Sequence, residues 1–91
     1  MSEVRRLVIH GVVQGVGFRY AMAAQARMLG LTGWVRNRRD GTVEAIISGG
    51  AELVAAMLAW SQIGPAGSSV DHVMVEIGSG EFFDFEALPT A

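Results

Sequence analysis

The sequence predicts an α+β sandwich in which two helices cover one face of a mixed sheet. Apolar residues alternate at period two in four stretches and recur at helical spacing in two others, in the order β-α-β-β-α-β. Each helical stretch carries one apolar stripe, so both helices are expected to bury it against the same side of one sheet. At 91 residues, 51% hydrophobic and with a net charge of −2, the chain fits a single domain, residues 1–91, and lacks the composition of a disordered segment.

Val4 to His10 alternates as a first strand, with Leu7 and Ile9 on one face and Arg6, Val8 and His10 on the other. Gly11 to Gly17 then places three glycines within seven residues, which makes a loop. Helical spacing begins at Phe18 and continues through Met22, Ala26 and Leu29, and Gly30 provides a stop. Trp34 to Asn37 reads as a second strand and Thr42 to Ser48 as a third, with Val43, Ala45 and Ile47 on one face. The Asp40-Gly41 pair between them is a turn signal, so these strands form a hairpin.

Gly49 and Gly50 open a second helix whose stripe is Leu53, Met57, Trp60 and Ile63, closed by Gly64-Pro65. Val70 to Ile77 is a fourth strand, with Val73, Val75 and Ile77 aligned. Phe82 to Glu86, where Phe83 and Phe85 alternate with acids, is a candidate short fifth strand. Right-handed crossovers through the two helices give the split βαβ, ferredoxin-like arrangement. Met22, Met57, Trp34, Trp60 and the phenylalanines near the C-terminus are assigned to the core.

Composition narrows the function. The absence of Cys excludes a disulfide scaffold, a zinc ribbon and a thiol nucleophile, and it suits a reducing cytoplasm. The longest apolar run, Leu53 to Trp60, is far shorter than the roughly 20 residues of a membrane span. The N-terminal residues interrupt their apolar positions with charge and form no secretory h-region. Seven arginines against Glu3 alone leave the first 39 residues at +6, and eight acids leave the remainder at −8. Two readings stay open, arginine-rich codon usage or an anion site built from permanently charged, forked donors. A chain acidic as a whole is poorly suited to a polyanion, which argues against a nucleic-acid groove.

Residues 10 to 19, His-Gly-Val-Val-Gln-Gly-Val-Gly-Phe-Arg, run from strand through glycine loop into a helix with Arg19 in its first turn. Free backbone N–H groups at a helix start, with the helix dipole, favour an anion. Gly15 and Gly17 can take positive φ and turn successive N–H groups inward, and Arg19 adds a bidentate clamp. No Gly-Lys-Ser/Thr follows, so this is not a Walker loop, and Tyr20 stands where a dinucleotide fingerprint needs a small residue. The plainer alternative is a loop that only turns the chain. Asn37, at the end of the second strand, either bonds locally in the turn or reaches across the sheet toward Arg19. His10 and His72 have no clustered carboxylates to complete a metal site, and His10 is assigned a strand-end hydrogen-bonding role. Arg36, Arg38 and Arg39 are read as a solvated hairpin, and Asp40 as its turn residue.

The stretches VQGVGFR (residues 13 to 19) and GWVRNRRDGTVE (residues 33 to 44) closely resemble the acylphosphatase family, and the element order and the stretch Ser69 to Val73 fit it too. The resemblance implies hydrolysis of acyl phosphates to carboxylate and inorganic phosphate. It implies a cradle of Gln14, Gly15, Val16, Gly17, Phe18 and Arg19 binding phosphate through backbone amides and the arginine. It gives Arg19 and Asn37 the catalytic roles, with Asn37 positioning the attacking water. Some relatives place a C-terminal carboxylate near the catalytic arginine; Leu88-Pro89-Thr90-Ala91 shows no clear match, so no such contact is carried over.

The residue types agree with that chemistry. A carboxylate leaving group, with a carboxyl that titrates near about 4, needs no general acid to protonate it. Phosphoryl transfer through a loose transition state relies on positioning and charge stabilisation. An ordinary alkyl ester would demand an acid, a metal or a covalent nucleophile, and the loop offers none. The resulting reading is a monomeric, cytoplasmic acylphosphatase needing no metal and no cofactor, whose partners are an acyl phosphate and inorganic phosphate, with no nucleic acid or membrane. The rival is a non-catalytic ferredoxin-like binding module for RNA or a small-molecule regulator. An RNA reader needs stacking aromatics on the middle strands, which instead carry Leu7, Val8, Ile9, Val43, Ala45 and Ile47. A third expectation, a module attached to carbamoyl-transfer proteins, is disfavoured by the lack of further chain.

Overall fold

The computed structural model describes residues 2–91. Its elements are β1 (Ser2–Val12), α1 (Phe18–Met28), β2 (Thr32–Asn37), β3 (Val43–Gly50), α2 (Ala51–Ser61), β4 (Ser69–Ile77) and β5 (Phe85–Ala87). They build one five-stranded sheet in the order β4-β1-β3-β2-β5. The first four strands are antiparallel neighbours, and β5 joins β2 in parallel. This is the expected split βαβ topology, and the fifth strand is present. No helix among the described residues is long and apolar enough to cross a membrane.

Strand alternation places Leu7, Ile9, Val35, Val43, Ala45 and Ile47 on the helix side, all fully buried. Phe18, Met22, Ala23 and Ala26 of α1 and Val54 and Met57 of α2 close over them. The end of α1 is set by Gly30 at φ 72°, where Leu31 donates its N–H to the carbonyl of Ala26 at 2.9 Å. A left-handed glycine with that bond closes the last turn as a Schellman motif. In the β2–β3 hairpin, Gly41 takes φ 94°, and the Asp40 carboxylate accepts from both N–H and Oγ1 of Thr42. Those bonds hold the Asp40 carboxyl below its ordinary range, as expected of a turn residue and not of an acid catalyst.

Three core assignments are corrected. Leu53 and Ile63 of the expected α2 stripe are exposed, and the helix instead buries Val54, Met57 and Ser61. The run from Leu53 to Trp60 is apolar on every side, so its periodicity cannot select a face; the sheet does. Phe83 is 93% exposed, because β5 begins two residues later and only Phe85 enters the core. Trp34 and Trp60 are half-buried: Trp34 lies under the Arg36 guanidinium at 4.8 Å, and Trp60 meets Phe18 edge-on at 5.5 Å. Along edge strand β4, Val73 packs against the core while Val75 and Ile77 are exposed. A bulge opposite His10 and Gly11 adds Asp71 to β4, which turns Val70 inward as well.

The opposite face of the sheet is tied by charge. Glu44, buried on β3, accepts from Arg6 on β1 at 2.6 Å and from Arg36 on β2 at 2.8 Å. Arg6 also reaches Glu76 on β4 at 2.7 Å. Burial pushes the Glu44 carboxyl up, but the Arg36 and Arg6 hydrogen bonds outweigh it, and the net direction is below its ordinary value. Of the basic residues that gather in the first part of the sequence, Arg5, Arg6 and Arg36 are therefore paired with acids. Arg27 caps the Phe85 carbonyl at 3.0 Å. The charge asymmetry resolves mostly into structural pairing, and Arg19 alone of the seven lines a cavity at the glycine loop.

Candidate active site

The loop from Val13 to Gly17 leaves β1 and turns into α1. Val13 is buried and pins its start. Gly15 and Gly17 both lie in the left-handed region, at φ 74° and 76°. A Cβ at either would meet nothing within 4 Å, so the demand for glycine is conformational and not spatial. Gly17 caps α1 without a side-chain hydrogen bond, and the first turn holds no acid. The first N–H groups of a helix have no intrahelical acceptor, and here no capping side chain or first-turn carboxylate competes for them.

Gln14 braces this loop. Its Nε2 donates to the carbonyls of Arg38 at 2.6 Å and Thr42 at 2.8 Å, across to the β2–β3 hairpin. The side chain of Val16 packs on the core. Neither side chain lines the cavity, so any contact of Gln14 or Val16 with a ligand there falls to the backbone.

A cavity of about 250 Å³ opens over the loop, lined by Val13, Gly15 and Gly17, by Phe18 to Tyr20, and by Asn37. Asn37 reaches it because β3 lies between β1 and β2, and the end of β2 beside Val43 comes level with the loop after β1. Arg19 donates from Nη1 to the Leu88 carbonyl at 3.0 Å, while its Nε is buried with no protein partner. Asn37 Oδ1 is the second buried side-chain atom without a partner. Unsatisfied buried polar atoms are rare in folded proteins. The only two among the described residues face one cavity. The lining contains no Asp, Glu, His or Lys, and no cluster of three or more His, Asp or Glu able to hold a metal occurs among the described residues.

The sequence did not reveal the part played by the C-terminal segment. Besides Leu88, Ala91 donates its N–H to the Asn37 carbonyl and accepts from the N–H of Arg39, both at 3.0 Å. These are main-chain contacts, to which side-chain identity gives no clue.

The Acylphosphatase family model matches residues 5–86. The chain belongs to the acylphosphatase family. Among curated acylphosphatases, that of Cupriavidus pinatubonensis is 48% identical over 97% of this chain and 98% of its own length. That of Cupriavidus necator is 51% identical over 98% and 97%. Among solved structures, an acylphosphatase from Coxiella burnetii superposes with a TM-score of 0.91 at 32% identity, covering 96% of this chain and 93% of that one. The Bacillus subtilis acylphosphatase gives 0.90 at 31% identity, covering 97% and 99%. A full-length HypF, described in a phosphate- and nucleotide-bound form, gives 0.90 at 27% identity, over 99% of this chain but 12% of that protein. The activity of this acylphosphatase-family chain is hydrolysis of the carboxyl-phosphate anhydride, and the fold is that of acylphosphatase structures throughout.

Proposed function

We propose that the acyl phosphate is hydrolysed in the cavity over the glycine loop, with the amides of residues 14 to 19 and Arg19 seating the phosphoryl group and Asn37 orienting the attacking water. The observation that carries this is the pair of buried, unpartnered atoms, a donor at Arg19 Nε and an acceptor at Asn37 Oδ1, facing the same space. The donor suits a phosphoryl oxygen, and the acceptor suits a water proton. Water oxygen bonds to phosphorus as the bond from phosphorus to the acyl oxygen breaks. The electron pair leaves with the carboxylate, and the water proton passes to the phosphate product or solvent. Amides and guanidinium fixed before reaction stabilise charge on the phosphoryl oxygens without reorganising. The cavity lining supplies no acid, which suits a leaving group that needs none.

In this reading the protein acts as a one-domain monomer in the cytoplasm, with neither metal nor cofactor and no nucleic-acid partner. Curated relatives matched over 97–98% of their own length, a cysteine-free composition and a net charge of −2 support it. The deciding assay is benzoyl phosphate hydrolysis with excess EDTA and rising inorganic phosphate. Turnover should survive the chelator and phosphate should inhibit competitively. Chelator-sensitive activity restored by a divalent metal would sink the metal-free reading. Light scattering on the purified protein tests the monomer.

A further inference from the structure

Seating the phosphoryl group at Arg19 leaves the organic half of the substrate without a partner. In phosphoryl transfer the attacking and leaving oxygens lie roughly in line, so the acyl group departs on the side away from the water held by Asn37. Among the residues lining the cavity, Val13 and Phe18 are buried, and Gly15 and Gly17 have no side chain. Tyr20 alone combines a large side chain with wide exposure, at 65%. Its position follows from the helix: two residues beyond Phe18, it is rotated about 200° from the side chain that enters the core. Arg19 Cζ lies 5.0 Å from the Tyr20 ring centroid, so the ring is adjacent to the guanidinium assigned to phosphate. The guanidinium takes one part of the ring, and most of the remainder is open.

We infer that Tyr20 forms the acyl-side wall of the site and favours planar, aromatic acyl phosphates over acetyl phosphate. This rests on the reading that phosphate sits at Arg19, and it adds the substrate class. A phosphoryl group at the guanidinium brings an acyl substituent one bond away within reach of the exposed ring. An aromatic acyl group can meet that ring edge-on or offset, whereas a methyl group offers little area.

The test compares kcat/KM for benzoyl phosphate and acetyl phosphate in the unmodified protein, Tyr20→Ala and Tyr20→Phe, with inhibition by inorganic phosphate measured for each. The benzoyl-to-acetyl ratio should fall about three- to tenfold in Tyr20→Ala, the scale of one aromatic pair, and persist in Tyr20→Phe. Phosphate should inhibit both variants as it does the unmodified protein. An unchanged ratio in Tyr20→Ala would overturn the inference. So would a parallel loss on both substrates with weaker phosphate inhibition, which would make Tyr20 a support for Arg19. Failure of the underlying reading has a separate signature: phosphate would not inhibit the unmodified protein at all.

Discussion

Arg19 Nη1 donates to the main-chain oxygen of Leu88 across 3.0 Å, so the guanidinium at the start of α1 is held by the segment that follows β5. Leu88 is itself fixed to β2 through its N–H and the Val35 carbonyl at 2.8 Å. A guanidinium presents five donors in a rigid fork. One directed at Leu88 fixes the plane and leaves Nε, buried and without a protein partner, for an anion.

Arg19→Lys should weaken phosphate binding about ten- to a hundredfold despite keeping the charge. An ammonium on a flexible stem cannot bond Leu88 and clamp phosphate in one plane, and a charge-assisted bond contributes roughly 1.5–3 kcal/mol. Arg39→Lys should leave phosphate affinity unchanged, since that side chain is exposed and has no hydrogen bond or ion pair among the described residues. Competitive inhibition by inorganic phosphate measures both. Equal losses would remove Arg19 from the clamp.

Asn37→Ala should separate binding from chemistry. The main chain of Asn37 keeps its pairing with Val43 and its bond to Ala91, so the fold should change by no more than about 1 kcal/mol. Phosphate affinity should persist, and turnover should drop about a hundredfold or more once the water is free to reorient. Initial rates, phosphate titration and thermal melting on one preparation decide it. Normal turnover with a lowered melting temperature would make Asn37 a turn residue and nothing more.

Gln14→Ala removes two hydrogen bonds between loop and hairpin, yet both acceptors keep another donor. The Arg38 carbonyl retains the N–H of Gly41, and the Thr42 carbonyl retains that of Arg38. With no buried acceptor orphaned, the cost should be about 1–2 kcal/mol, read by urea unfolding. Loosening the loop should also raise KM for the acyl phosphate by severalfold. A KM matching the unmodified protein would mean that the loop holds its shape unaided.

Glu44→Gln tests the charged face of the sheet. The Glu44 carboxyl in the folded protein lies below its ordinary value of 4.5, so its ion pairs stabilise fully above that pH and fade as pH falls through the lower, folded value. At neutral pH the substitution should destabilise by roughly 1–3 kcal/mol, a range reduced because Arg6 and Arg36 are partly in solvent. In acid the difference between the two proteins should shrink. Melting temperatures from neutral pH down into the acid limb check both points; a gap that stays constant would show that Glu44 does not titrate in the folded state.

The sequence by itself determined the order of elements, the glycine loop and the hairpin turn, because each depends on neighbours close along the chain. Alternation at period two marks Leu7 and Ile9 as inward, and the left-handed backbone at Gly15, Gly17 and Gly41 is a local demand only glycine meets cheaply. Arg19 and Asn37 were legible as residue types in motifs, but 18 positions separate them, and only the insertion of β3 between their strands brings both to one cavity. Tertiary structure alone decided which side of α2 is buried, since a helix apolar all round has no face of its own to present. It alone exposed Phe83 and bound Arg19 and Asn37 to Leu88 and Ala91. Those last contacts run through main-chain N–H and C=O groups, which every non-proline residue carries alike, so the side-chain alphabet cannot announce them.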